Sequence, residues 1–331
     1  MGWTHSLIED DCYGSRITDS RAWLKACSEI EDGKHFVLQY EETLLPLSWI
    51  NRNGVMVIEA LGQDYRSVAG PLKEGPDFPK VRLQDFPLTA DLIDLRRFPK
   101  KYLKFIHPAG AIRIVRKDIS HYSRELKNSP EALLKSLSTN ARGTLRQANN
   151  RVAKDFADKG LKFDKLKLDG ENWDESWRQM STIADHSWQG KSNVSVFKRK
   201  KMRSFLFNLM NNGMGLTFYQ CLLGNEIIAV TLCAINSNNL LIYLQEYNEN
   251  FTKYRPGHLL NNYIFNDAAL NGINWIDYGV GSGPHKDFWR FNPTDLYRLM
   301  IPLTMKGALA VAKQCLRWYA GGFARKKSKA E

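Results

Sequence analysis

The chain has 331 residues, 43% hydrophobic and 25% charged, and carries a formal net charge of +12. That length suits two domains, or one fold built from two similar halves, each with a core of its own. No apolar stretch approaches the roughly 20 residues that cross a bilayer, and the opening "MGWTHSLIEDD" lacks the apolar core of a secretory signal. The five cysteines are odd in number and scattered, which argues against a disulfide framework and for a reducing compartment. Seven histidines form no HxxxH-type cluster, so no metal site is expected. The expectation is a cytoplasmic protein whose positive charge favours anionic partners: a nucleotide cofactor, an RNA end, a phosphorylated substrate or an anionic lipid surface.

In chain order, "TDSRAWLKACSEIEDG" reads as a helix capped at Thr18/Asp19 and closed by Gly33. Residues 36 to 61 then spell strand, tight turn, strand, the polar turn "NRNG", and strand. Asn-Gly is a strong hairpin signal. The next stretch, "GQDYRSVAGPLKEGPDFP", has too many prolines and glycines for a long helix. Residues 129 to 160 read as one helix, with Ser129 as N-cap, Pro130 in the first turn and Gly160 at the end. A strand "LKFDKLKL", a helix "DESWRQMSTIADHSW" and a basic helix "VFKRKKMRSFLFNLMNN" follow.

Residues 216 to 246 repeat the earlier meander: "LTFYQCLL", the turn "GNE", "IIAVTLCAI", the turn "NSNN", and "LLIYLQE". Two copies point to duplicated domains rather than a solenoid. After the meanders the copies diverge. Only the second runs through the loop "NENFTKY" into Arg255-Pro256-Gly257 and a helix, followed by the strand "INWIDYGVG". The free N–H groups and dipole of such a helix start favour an anion. Leu296 to Tyr319 reads as an apolar helix, and "ARKKSK" from Ala324 to Lys329 is a basic tail. An apolar helix with a basic end is suited to a membrane surface. Glycines 279, 281 and 283 are not followed by the lysine or acid of a nucleotide-binding loop, and no Gly-x-Ser-x-Gly elbow is present.

The stretches "STNARGTLRQANNRV", "GNEIIAVTL", "YNENFTKYRPGHLL" and "GINWIDYGVGSGPHKDFW" together resemble the GNAT acyltransferase superfamily, in its FemAB-like or CelD-like branch. The first half resembles it through "DSRAWL", "LLPLSW" and "EALGQDY". The resemblance implies an α/β fold of two tandem GNAT-like domains, each a mixed, mainly antiparallel sheet flanked by helices. Expected boundaries are 1–115 for a degenerate half without a donor site, 116–295 for the acyl-donor domain, and 296–331 for a C-terminal helix and tail. It implies acyl-CoA, acetyl-CoA or longer, as co-substrate, and no metal.

Acyl transfer needs a neutral nucleophile, a donor to the oxyanion and a proton for the leaving thiolate. Glu246, at the end of the central strand, is the candidate base, and Tyr247 and Tyr254 are candidate acids. The resemblance places a functional lysine at Lys286. Arg255, Pro256, Gly257, His258 and Leu259 would hold the donor, and Asp277 and Trp289 would line the acceptor site. His285 stands where the family tends to carry a tyrosine, a departure at the acceptor pocket. Three readings stay open: an acyl-CoA-dependent N- or O-acyltransferase, an aminoacyl-tRNA-dependent Fem-type transferase, and a non-catalytic scaffold. Under the first, the acceptor would be an envelope sugar or lipid-linked precursor, met in the cytoplasm or at the inner membrane surface. There the C-terminal basic helix would touch the membrane.

Overall fold

The structure is a computed structural model that describes residues 4–6, 16–72, 80–86, 89–106, 111–126, 129–157 and 160–327. In chain order the first elements are β1 (Thr4–Ser6), α1 (Arg21–Ile30), β2 (Lys34–Tyr40), β3 (Thr43–Arg52) and β4 (Val55–Ala60). Next come β5 (Leu92–Pro99), α2 (Lys100–Leu103) and β6 (Ile114–Glu125). Then follow α3 (Pro130–Ser136), α4 (Thr139–Asp155), β7 (Leu161–Lys167), α5 (Trp173–His186), α6 (Trp188–Lys191) and α7 (Lys200–Asn211). The second meander is β8 (Gly215–Leu223), β9 (Glu226–Asn236) and β10 (Asn239–Tyr247). The chain closes with α8 (Pro256–Leu270), β11 (Trp275–Val280), α9 (Pro284–Phe288), β12 (Asn292–Pro302) and α10 (Met305–Lys327).

Two compact units emerge, and neither is continuous in sequence. Unit 1 takes Glu31–Ile119 and Asp295–Glu331 along with β1; unit 2 takes Arg16–Ile30 and Ser120–Thr294. The strand order is β1-β2-β3-β4-β5-β12 in unit 1 and β7-β8-β9-β10-β11-β6 in unit 2. Position by position the pairings agree. Each unit has an antiparallel meander, then one parallel pair (β4 with β5, β10 with β11), then an antiparallel last strand. This is the mixed, mainly antiparallel α/β fold that the sequence led us to expect.

The meanders form because their turns need few residues. Asn53 and Gly54 both take positive φ between β3 and β4, as does Ser237 between β9 and β10, the backbone a two-residue hairpin turn demands. The core of unit 1 gathers Leu38, Leu45, Leu47, Ile58, Ile93, Leu95, Leu299 and Ile301. One face of unit 2 packs α3, α4 and α8 against the sheet through Leu133, Leu145, Val152, Leu259, Ile264 and Phe265. On the other face, Trp23 of α1 and Phe205 of α7 meet Tyr243 of β10 ring to ring.

Four local expectations are corrected. Leu296 to Pro302 belongs to β12, not to a helix; Leu296, Leu299, Met300 and Ile301 are buried and pair with β5. The helix begins only at Met305, where Thr304 Oγ accepts the Gly307 N–H. The single helix expected over 129–160 is two, because Leu137 is extended and Ser138 caps a fresh start by accepting from Ala141 N. The basic helix begins at Lys200 rather than Val196, and α1 begins after Ser20, whose Oγ accepts from Trp23 N. The tail beyond Lys327 lies outside the described residues.

Candidate active site

The site is built where β10 and β11 part. Their parallel register covers Asn239–Leu241 against Trp275–Asp277 and then stops. Immediately beyond, β10 carries a bulge between Ile242 and Leu244. A bulge inserts one residue and reverses the side-chain alternation that follows it. Leu240 and Ile242 point to the α8 face; after the bulge, Gln245 and Tyr247 take that face and Glu246 takes the other.

On the α8 face, Gln245 donates to Thr231 Oγ1 and Asn261 Oδ1 at 2.8 Å each, and accepts from Tyr278 Oη at 2.6 Å. Asn261 Nδ2 donates to Tyr278 Oη at 2.7 Å. This buried polar network ties both parting strands to α8. The helix starts after Arg255, an exposed residue held at φ 51°, and an atom added at Gly257 Cα would lie 3.8 Å from the Tyr247 ring. The His258 and Leu259 amides turn back to the Arg255 carbonyl. The His258 ring packs on Phe288, and burial, helped by Arg255, pushes it down to about 4, so it is neutral at pH 7. Leu259 is core. Trp289 is fully buried, edge-on to Phe265.

Lys286 is 4% exposed, its ammonium over the rings of Tyr122 and Tyr278 and donating to the Val280 carbonyl at 3.0 Å. Burial lowers it to about 8 against the pull of Asp277. Tyr254 turns away from the parting strands: its hydroxyl donates to Asp155 Oδ2 at the end of α4, 2.8 Å away.

The opposite face holds two buried carboxylates. Glu246 is 2% exposed, and each oxygen accepts a serine hydroxyl at 2.6 Å, Oε2 from Ser187 and Oε1 from Ser195. Burial raises its pKa, and the two hydroxyls oppose that shift. Glu246 therefore anchors both feet of the 187–195 segment. Asp277 Oδ1 pairs with His121 Nε2 at 2.8 Å and accepts the Gly279 N–H. An open recess of about 330 Å³ lies on the α5 side, lined by Arg178, Gln179, Thr182, His186, Glu226 and Asn248. Among the described residues, no group of histidine, cysteine and carboxylate side chains is arranged to hold a metal.

Residues 139–287, which contain every one of these groups except His121, Tyr122, Phe288 and Trp289, match the family model of the acetyltransferase (GNAT) domain. The chain carries a GNAT acetyltransferase domain. Its wider fold is shared with FemX (TM-score 0.56, 8% identity, 86% of this chain and 92% of that one). It is also shared with the C-terminal domain of a putative lysylphosphatidylglycerol synthetase from Agrobacterium fabrum (0.55, 14%, 88% and 90%). A third likeness is L-PGS from Bacillus licheniformis (0.52, 13%, 92% and 98%). At 8–14% identity these three likenesses show a shared fold, and the CelD-like branch is not among them. No curated protein matches the chain in sequence.

The arrangement thus brings Tyr247, Arg255, Pro256 and Gly257 together beside the parting strands, and His258 and Trp289 to the core behind them. It sets Glu246 and Asp277 on the far face and sends Tyr254 towards α4. The Gln245–Asn261–Tyr278 network, the two serines and His121 carry no sequence signature. Only the polar residues inside apolar runs (Gln245, Asn261, Asp277) hinted that something there needed partners.

Proposed function

We propose that the chain is a transferase moving an acyl group from acyl-CoA, acetyl or longer, to an amine or hydroxyl acceptor. The carrying observation is the GNAT match over 139–287, with a helix start set beside the parting of β10 and β11. Pro256 has no N–H, and the His258 and Leu259 amides are taken, which leaves the Gly257 amide and the exposed Arg255 guanidinium to receive the pyrophosphate. His258 and Leu259 then support that turn from behind. The thioester lies along β10, and the acceptor approaches from the Glu246 face through the recess beside α5. Glu246 takes the acceptor's proton through the Ser187 or Ser195 hydroxyl, and Tyr247 supplies one to the thiolate. Lys286 and Asp277 hold the β11 end of the site. In this reading residues 1–115 carry no donor site, because no α-helix lies between β4 and β5 among the described residues.

The acceptor we favour is an envelope sugar or lipid-linked precursor, met in the cytoplasm or at the inner membrane surface. No helix among the described residues is long and apolar enough to cross a membrane. The basic run Arg199, Lys200 and Lys201, exposed and with no acidic residue between 187 and 203, favours a second reading with a tRNA-borne donor.

Thermal-shift titration with CoA, acetyl-CoA and longer acyl-CoAs tests the first reading. At 100 times its dissociation constant a ligand stabilises the native state by about 2.7 kcal/mol. Gly257→Glu has room beside Tyr247 and should abolish the shift while leaving the unliganded melting point nearly unchanged. No shift with any CoA would end the acyl-CoA reading, and charged tRNA becomes the next ligand.

A further inference from the structure

α10 has three faces rather than two. Val311 is buried, and with partly buried Cys315 and Trp318 it packs towards Val57, Leu92 and Met300 of unit 1. A second face is apolar but open: Met305 is 79% exposed, Leu309 69%, Leu316 70% and Tyr319 69%. At about 100° per residue these four, with exposed Ala312 among them, fall within roughly 80° of helix circumference. Large apolar side chains exposed singly are ordinary; four aligned along four turns form a patch that calls for a partner. The third face is cationic. Lys306, Lys313 and Arg317 line one flank of the stripe, and among the described residues only Lys306 has a nearby carboxylate, Asp91 at 3.7 Å. No acidic residue occurs between Leu296 and Ala330.

We infer that this stripe is a docking face for an anionic lipid bilayer, with α10 lying in the plane of the interface. An apolar strip with cations along its edge is the pattern of interfacial helices: the strip enters the headgroup boundary and the cations stay with the lipid phosphates. Tyr319 suits the same boundary, with an apolar ring and a polar tip. A second copy of the chain is the competing occupant. An antiparallel helix pair would set the Lys306–Lys313–Arg317 flank against its own like charges, which disfavours it. The proposal gives a physical basis to the membrane-surface part of the functional reading and rests on it only for its biological meaning. The contact itself is independent of which donor the chain uses.

Co-flotation of the full chain with vesicles is the test, using phosphatidylcholine alone and phosphatidylcholine mixed with phosphatidylglycerol. Binding is expected to the anionic vesicles only, and to weaken as salt is added. Leu309→Asp with Leu316→Asp should reduce it more than about tenfold, as should Lys313→Glu with Arg317→Glu. Both pairs are exposed, so an unchanged melting temperature confirms folding. Lys326→Ala, Lys327→Ala and Lys329→Ala separate the tail from the stripe. Binding that follows the tail and ignores the stripe overturns the proposal. So does the absence of vesicle binding, or a concentration-dependent dimer that the Leu309→Asp/Leu316→Asp variant converts to monomer. The CoA thermal shift, read on the same variants, reports the donor site separately: a chain that floats but binds no CoA keeps this inference and loses the acyl-CoA reading.

Discussion

Units 1 and 2 share a sheet and differ in what they put at its parting. In both, three parallel register pairs end at an aspartate, Asp94 on β5 and Asp277 on β11. In both, a base on the last strand meets that aspartate: Arg298 of β12 grips Asp94 with two bonds of 2.7 and 2.6 Å, and His121 of β6 meets Asp277 with one. Unit 1 surrounds its aspartate with further charge, Glu59 beside it and Arg52 bidentate on Glu59. Unit 2 replaces that charge with a neutral amide and phenol network and a helix start. The same scaffold carries a locked ionic cluster in one copy and a neutral amide and phenol network beside a helix start in the other.

The comparison breaks most visibly at its paired bases. Arg298→Ala leaves Asp94 buried without a partner and should cost about 3–5 kcal/mol, read as a lower urea midpoint. His121→Ala should cost clearly less, because Asp277 retains the Gly279 amide. Equal losses would mean the two units use their aspartates alike.

Acid separates the units next, and in opposite directions. His258 in unit 2 stays neutral until about pH 4, while the unfolded chain takes its proton near 6.5. Stability is therefore lost as pH falls through that window, by up to about 3 kcal/mol. Glu31 in unit 1 is pushed up to about 6 by burial, so the folded state holds a proton that the unfolded chain releases near 4.5. Its contribution is full below 4.5 and is lost as pH rises through 6. His258→Phe should flatten the first slope and Glu31→Gln the second, measured by thermal melts from pH 4 to 7.

Smaller effects sharpen the site. Glu246→Ala removes the acceptor of two buried serine hydroxyls, of which Ser187 keeps the Ala184 carbonyl at 3.1 Å, and should cost about 1–3 kcal/mol, whereas Glu246→Gln keeps most of that stability. If Glu246 is the base, both lose activity alike; if it only anchors 187–195, Gln retains most of the rate. Ser138→Ala removes the cap of α4 and should cost about 1 kcal/mol, read as a slightly lower melting point with the donor site untouched.

Local chemistry made much of this legible. Asn53-Gly54 and Asn225 turns announced both meanders, and Arg255-Pro256-Gly257 announced α8, because each feature is decided by neighbours in sequence. What escaped depends on distance. Ser187 and Ser195 reach Glu246 across 59 and 51 residues, and no pattern near Glu246 foretells them. The bulge after Ile242 decides which face each residue of "LQEY" takes, and it has no glycine to mark it. Leu296 to Ile301 was ambiguous because a short apolar run suits a strand or a helix equally until its partner, β5, is known. His121, 156 residues from Asp277, lay outside every motif.

The borrowed last strands bear on how the chain is made. During synthesis β1 to β5 emerge early, but the sheet of unit 1 lacks β12 until residue 302 has left the ribosome. Until then the surfaces that Leu299 and Ile301 will cover stay open. Unit 2, whose strands are complete at Val280 and whose last residue is Thr294, has its pieces slightly sooner. The nascent chain should therefore complete its second unit shortly before its first, the reverse of the usual N-to-C order for tandem domains, and a stop codon just after Thr294, ahead of Leu299 and Ile301, would release a protein with one finished unit and one open sheet.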